Sequence, residues 1–244
     1  MDPLAQAIPY CGVAPEPAGL WLRWNGDPLA WAVLAFIGGL FFLARRRAAA
    51  PDARLFWIGW AALALALVSP LCALSSALFS ARAAHHLVLL LAVAPLLALS
   101  GVRMRKAPLA LSAAVQAAVL WAWHAPFAYA AALSNDAVYW LMQLSLLASA
   151  LWFWSAVIAR RDDLGAPAAL AATMAQMGLL AALITFAPTP LYAPHLTTTA
   201  AWGLTALQDQ QLAGLMMWTL GALPYLIATL ALSARLLRSE PAPQ

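Results

Sequence analysis

The sequence predicts an all-α integral membrane protein, a bundle of seven transmembrane helices. Of its 244 residues, 65% are hydrophobic and only 9% are charged, whereas an ordinary soluble domain is about 45–50% apolar and about 25% charged. So few charges could not cover the surface of a soluble protein, and such an apolar chain is not disordered. The twelve tryptophans agree with a membrane location, because indole rings favour the membrane–water boundary.

Seven apolar stretches, separated by charges, prolines or glycines, define the predicted spans. Each is close to the roughly 20 residues that a crossing helix needs. The Ser69-Pro70 step in the second stretch predicts a kink or a helix end. In order, the stretches are 28–44, 55–74, 84–100, 108–124, 137–159, 167–187 and 208–234.

The chain therefore divides into an outer N-terminal arm (1–27), one transmembrane domain (28–236) and a cytoplasmic tail (237–244). The arm has neither the basic start nor the apolar run of a cleaved secretory leader, so we expect it to be retained.

The distribution of basic residues predicts the orientation. Loops on the cytoplasmic side of a membrane protein carry an excess of Lys and Arg. Only Arg23 and Arg82 fall on one side of the predicted bundle, and the other side collects the remaining eleven. We therefore expect the N-terminus outside and the C-terminus in the cytoplasm. The eleven are Arg45, Arg46, Arg47, Arg54, Arg103, Arg105, Lys106, Arg160, Arg161, Arg235 and Arg238.

This orientation places all four histidines at the outer face. His85 and His86 open the third span, His124 closes the fourth, and His195 lies in the loop before the seventh. The two cysteines lie on the same side, where a disulfide can persist, although spacing alone does not distinguish a bridge from free thiols. Any chemical site is expected at this face.

One hypothesis is a copper site built from histidine and methionine. Imidazole suits copper, and soft sulfur ligands favour its reduced form. The alternative is that the histidines cap loops at the interface while the methionines fill the core. The candidate ligands are His86, His124, His195, Met142 and Met216.

Five further polar residues complete the predicted outer mouth: Arg82, His85, Asp136, Asp209 and Gln210. Arg82 lies one turn from His86, would repel a cation bound there, and is expected to pair with Asp136 or Asp209. An Arg is also suited to hold a carboxylate or a haem propionate. Asp209, in the first turn of its helix, complements the helix dipole, and the Gln210 amide must find a partner.

Three sequence blocks carry a family resemblance: Phe79-Ser-Ala-Arg-Ala-Ala-His-His-Leu, Trp121-Ala-Trp-His-Ala-Pro-Phe-Ala-Tyr and Leu207-Gln-Asp-Gln-Gln-Leu-Ala-Gly. They resemble the CtaG family of multi-span cytochrome c oxidase assembly proteins, which is associated with caa-type oxidases. The resemblance implies about seven spans and a role in maturing a haem–copper oxidase, with copper handling. The alignment also favours His86 over His85 as the residue facing the bundle, because adjacent helical residues point about 100° apart.

Three positions depart from the family pattern. As we align it, the family often has a histidine four residues before the one matching His86, where this chain has Arg82. It often has a His-x3-His pair in the fifth span, where this chain has Tyr139 and Gln143. The departures leave two alternatives: metal binding with a reduced ligand set, or loss of metal binding.

The predicted function is an assembly factor for a haem–copper cytochrome c oxidase that handles or delivers copper at the outer face of the bacterial plasma (inner) membrane. Its expected partners are membrane lipid and oxidase subunits, and we expect no enzymatic activity. Nucleic acid is not expected, because the basic residues form no stripe. The alternatives are a copper or small-solute transporter, and a haem-binding electron carrier with His86 and His124 as axial ligands.

Overall fold

The computed structural model describes residues 8–45, 52–104 and 108–239, which contain helices and no β-strand. Part of the positive charge used to predict the orientation lies outside these residues, at Arg46, Arg47, Arg105 and Lys106, as does the end of the predicted tail. The helices are α1 (Pro28–Arg45), α2 (Ala53–Val68), α3 (Pro70–Ala77), α4 (Phe79–Leu99), α5 (Leu109–His124), α6 (Pro126–Ser134), α7 (Asp136–Ala159), α8 (Gly165–Thr185), α9 (Ala206–Trp218) and α10 (Ala222–Ser239).

The described helices fit a protein that crosses a membrane several times. Four segments are long and apolar enough to span it: α4, α7, α8 and the 33-residue unit Ala206–Arg238 formed by α9 and α10. The α2–α3 pair adds a fifth and is bent by 47°, which confirms the break predicted at Ser69-Pro70. Two shorter apolar helices, Pro28–Leu43 and Leu109–His124, complete the set.

Two helices differ from the predicted spans in ways that affect the site. α4 starts at Phe79, five residues before the predicted start, so Arg82, His85 and His86 lie inside a helix and not at its mouth. The predicted span 208–234 is interrupted by a turn at residues 219–221. The predicted third span excluded Ser80 and Arg82 because they are polar, whereas the predicted seventh span continued because the sequence around residues 219–221 is mostly apolar.

α4 is the central helix. It packs against α2, α3, α7 and α9, while α8 packs against α9 and α10. Phe79, Ser80, Ala81 and Arg82 are all buried, although consecutive helical residues point about 100° apart. A helix that is enclosed on most of its circumference must bury whatever polar residues it carries.

The ends of the helices meet in two groups. One group, which we call the disulfide end, holds Cys11 and Cys72, the start of α4 and the starts of α7 and α9. At the opposite end, Arg235 contacts Asp162 (Nη2–Oδ1 2.9 Å). Polar side chains therefore lie at the two ends of the bundle, where the chain turns from one helix to the next.

Candidate functional site

Asp209 joins α9 to the start of α4. Its carboxylate is completely buried and accepts hydrogen bonds from Phe79 N (2.6 Å), Ser80 N (3.1 Å) and Ser80 Oγ (2.5 Å). Leu78, the residue before α4, offers no side-chain acceptor, so Asp209 caps that helix from across the bundle. Its own helix is capped by Thr205 and Gln208 in a capping box.

Arg82 lies almost fully buried, with 1% of its surface exposed. Its guanidinium carbon is 5.3 Å from the centre of the Tyr139 ring. Its Nε and Nη1 atoms have no hydrogen-bond partner. The guanidinium therefore packs against an aromatic face, and its Nε and Nη1 donors have no acceptor.

The predicted pairing of Arg82 with Asp136 or Asp209 is wrong. Neither ion pair in the described part of the chain includes Arg82. Both oxygens of Asp209 are engaged at the start of α4, and Asp136 is exposed in the first turn of α7. Asp209, which was expected to pair with Arg82, caps α4 instead.

His85 and His86 are both buried, at 0% and 3% exposure, whereas only His86 was expected to face the bundle. The enclosure of α4 by several helices explains the difference, because no residue from Phe79 to Val88 is exposed. All four ring nitrogens of the two residues lack hydrogen-bond partners. The His86 ring lies 5.8 Å from the His124 ring, centroid to centroid.

His195 has a different environment. Its Nε2 accepts a hydrogen bond from Tyr129 Oη (2.6 Å), and its Nδ1 donates to the Ala77 carbonyl (3.2 Å). Burial lowers the pKa of His195 to about 4, so the ring is neutral at pH 7. Since both nitrogens are occupied, this histidine fastens the loop before α9 to the end of α3.

Gln210 fastens the same loop to α8. Its Oε1 accepts from Leu191 N (2.6 Å), and its Nε2 donates to the Ile184 carbonyl (3.0 Å). The prediction that this buried amide must find a partner is confirmed.

Cys11 and Cys72 form a disulfide with a Cα–Cα separation of 5.3 Å, which resolves the alternative left open by the sequence. Both sulfur atoms lie close to Tyr139 Oη, at 3.6 and 3.8 Å. The Tyr10 ring stacks on the Tyr139 ring at 4.5 Å. The N-terminal arm is thus tied to the bundle beside the ring that Arg82 contacts.

The three histidines among the five candidate copper ligands do not form one metal-binding group. His86 and His124 are neighbours; Met142 is fully buried, Met216 is half-buried, and both nitrogens of His195 are hydrogen-bonded. The described residues include no group of three or more His, Cys, Asp or Glu able to hold a metal ion. Among the candidate histidines, the donor set therefore amounts to two imidazoles, His86 and His124, beside the fixed positive charge of Arg82.

The three positions that depart from the family pattern lie together. Arg82 and Gln143 both flank the Tyr139 side chain, and Gln143 is 3% exposed with neither amide atom hydrogen-bonded. Residue type alone does not mark Gln143 as part of a site, and its place becomes clear only from the packing of α7 against α4.

No pattern in the sequence indicated the aromatic residues that enclose this region. The Phe79 and Tyr192 rings stack at 3.7 Å, and Tyr129 meets Phe79 edge-on at 5.2 Å. Tyr192 Oη also donates to the His124 carbonyl (2.9 Å). The available signal was that Phe79 and Tyr129 lie in the blocks that carry the family resemblance.

An apolar helical bundle with a buried cluster of Arg, His, Asp and Tyr at one end defines a multi-pass membrane protein with an internal polar site. The sequence model of the cytochrome c oxidase caa3 assembly factor family matches residues 34–239. The chain belongs to this family, as the resemblance to CtaG predicted. No curated protein and no solved structure matches it.

Proposed function

We propose that this protein promotes the maturation of a caa3-type cytochrome c oxidase by binding oxidase subunits in the bacterial plasma membrane, without catalysing a reaction itself. The observation that carries the proposal is the family match over residues 34–239, which includes all the helices that build the polar cluster. The exposed apolar helix surfaces suit contact with lipid and with the membrane helices of a client.

We propose further that the chain crosses the membrane seven times and that the disulfide end faces outward. Eleven basic residues fall on the proposed cytoplasmic side and two on the outer side, which supports this orientation. The Cys11–Cys72 disulfide supports it as well, because disulfides persist outside the reducing cytoplasm.

Copper delivery at the outer face is the second candidate function, with copper as cargo. The proximity of His86 to His124, and the unpartnered nitrogens of His86, favour it. Arg82 opposes it, since a guanidinium one helical turn from His86 stays charged and repels a cation. The copper candidate therefore depends on two imidazoles outweighing that repulsion.

The proposed function predicts that a host strain lacking this gene has reduced oxidase activity and that the wild-type gene restores it. His86→Asn and His124→Asn should restore several-fold less activity at equal amounts of protein in the membrane, because both lie in the polar cluster. Thr197→Ala, in an exposed part of the loop before α9, is the control and should restore full activity. Normal oxidase activity in the deletion strain would contradict the proposal.

The copper and haem alternatives are separated by measuring copper and iron in protein purified in mild detergent, with an optical spectrum of the same sample. About one copper per chain, lost in His86→Asn, would support delivery. Iron with a Soret band would favour haem binding. Absence of both metals from copper-replete, reduced protein would leave assembly through subunit contact.

A further inference from the structure

Four side chains in the first two turns of α4 and α7 carry polar atoms that have no hydrogen-bond partner in the protein. They are Arg82, His85, His86 and Gln143, each at most 3% exposed. Eight of their nitrogen and oxygen atoms are buried without a hydrogen-bond partner. Buried polar groups are hydrogen-bonded in the great majority of cases, and such a concentration of exceptions is typical of a site that holds water or a polar ligand.

The positive charge of Arg82 indicates which chemical class of ligand suits the cluster. Arg82 cannot lose its proton in a protein, and neither described ion pair involves it. Asp209 lies near the same end of α4, but its oxygens already accept three hydrogen bonds from Phe79 and Ser80. With both imidazoles neutral, five of the eight atoms can donate: two on Arg82, one on each histidine and the amide nitrogen of Gln143. These donors indicate an acceptor with negative charge.

We propose that Arg82, His85, His86 and Gln143 form a buried binding site for one carboxylate group. A carboxylate is an acceptor-only ion with about four lone-pair positions, which match guanidinium, imidazole and amide N–H donors. Its single charge balances Arg82, whereas a phosphate dianion would leave an uncompensated charge in the interior. The site stands independently of oxidase assembly, and it would also relieve the repulsion between Arg82 and a cation near His86.

Two sources can supply this carboxylate: a small free acid, or the C-terminus of a polypeptide. The test uses the full-length protein in detergent and measures thermal unfolding with sodium formate or acetate against sodium chloride at equal ionic strength. A second pair of probes is a five-residue alanine peptide with a free C-terminal carboxylate and the same peptide with a C-terminal amide.

Binding predicts a saturable rise in Tm with formate or acetate, or with the acid peptide but not its amide, because a ligand of the folded state stabilises it. Arg82→Gln should abolish the rise and Gln143→Leu should weaken it. Arg103→Gln removes an exposed Arg at the opposite end and should leave it unchanged. A Tm rise with formate or acetate would identify a small free acid as the source. A rise with the acid peptide alone would identify a polypeptide C-terminus.

Infrared difference spectra with ¹³C-formate, or with the acid peptide labelled at its carboxylate, give a second readout on the unaltered protein if Arg82→Gln does not fold. A bound carboxylate shifts its stretching bands from their positions in water. Absence of a saturable Tm rise and of a band shift with every probe would overturn the proposal and leave water as the occupant. An equal rise in Arg82→Gln, or an equal effect of the amide peptide, would also overturn it.

Discussion

Asp209 shows how much a single buried residue does in this bundle. Its carboxylate accepts three hydrogen bonds at the start of α4, the helix that carries Arg82, His85 and His86. Removing a buried acceptor leaves its donors unsatisfied, at roughly 1–3 kcal/mol for each. Asp209→Ala should therefore lower the free energy of unfolding by about 3 kcal/mol or more and reduce the amount of protein in the membrane. Unfolding in detergent with increasing SDS measures this change.

The matched control is Asp136→Ala, an acid in the first turn of α7 that is exposed. It interacts only with the helix dipole and solvent, so its loss should cost about 0.5 kcal/mol. Asp209→Asn keeps an oxygen acceptor and should fall between the two. Equal stability of Asp209→Ala and Asp136→Ala would show that the contact with α4 contributes nothing.

At the residue scale, the sequence indicated which polar side chains need a hydrogen-bond partner better than it indicated which residues those partners are. Gln210 was expected to need a partner and has two. The partner of Asp209 was not predictable, because an acid in a first turn ordinarily serves its own helix. Whether a carboxylate on α9 reaches the start of α4 depends on how far the two helices are shifted along their axes relative to each other. No local sequence pattern encodes that shift.

The packing of α9 against α8 depends on the absence of a side chain at Gly214. A Cβ atom there would lie 2.8 Å from the Ala181 carbonyl oxygen and would collide with Thr185 Oγ1. Small residues allow membrane helices to approach closely, and backbone atoms cannot move aside as a flexible side chain can. Gly214→Ala should therefore destabilise the protein by about 2 kcal/mol, measured by the same SDS titration.

Gly178→Ala is the control for that prediction. Gly178 lies in the interior of α8, and an added Cβ there meets no atom within 4 Å. Alanine should be tolerated and should stabilise the helix by up to about 1 kcal/mol. If both variants are equally stable, close approach at Gly214 does not limit the packing of the two helices.

At the element scale, apolar runs predicted helices over most of their length because a span must be continuous and about 20 residues long. Helix ends were less predictable. The extension of α4 back to Phe79 includes the polar residues Ser80 and Arg82, and the turn at residues 219–221 falls within mostly apolar sequence. There, capping by Asp209 and packing decide the boundary, and composition does not.

At the scale of the whole molecule, composition predicted the membrane class, and family membership now confirms the resemblance. The gathering of His86, His124 and Asp209 near one end followed from alternating helix directions. The disulfide did not follow, because the 61 positions between Cys11 and Cys72 carry no distance information. Long-range pairing of that kind is a property of the folded bundle.

The proposed orientation gives the molecule-scale prediction, and the disulfide makes it easy to test. Both cysteines of the chain are in the Cys11–Cys72 bridge, so the unaltered protein should not react with a maleimide. Thr197→Cys adds one exposed thiol near the disulfide end, and Leu164→Cys adds one in the exposed loop at the opposite end. A membrane-impermeant maleimide should label Thr197→Cys in intact spheroplasts and Leu164→Cys only after permeabilisation. The reverse pattern would place the histidine cluster on the cytoplasmic side, where neither the disulfide nor copper delivery to an outer-face site would be expected.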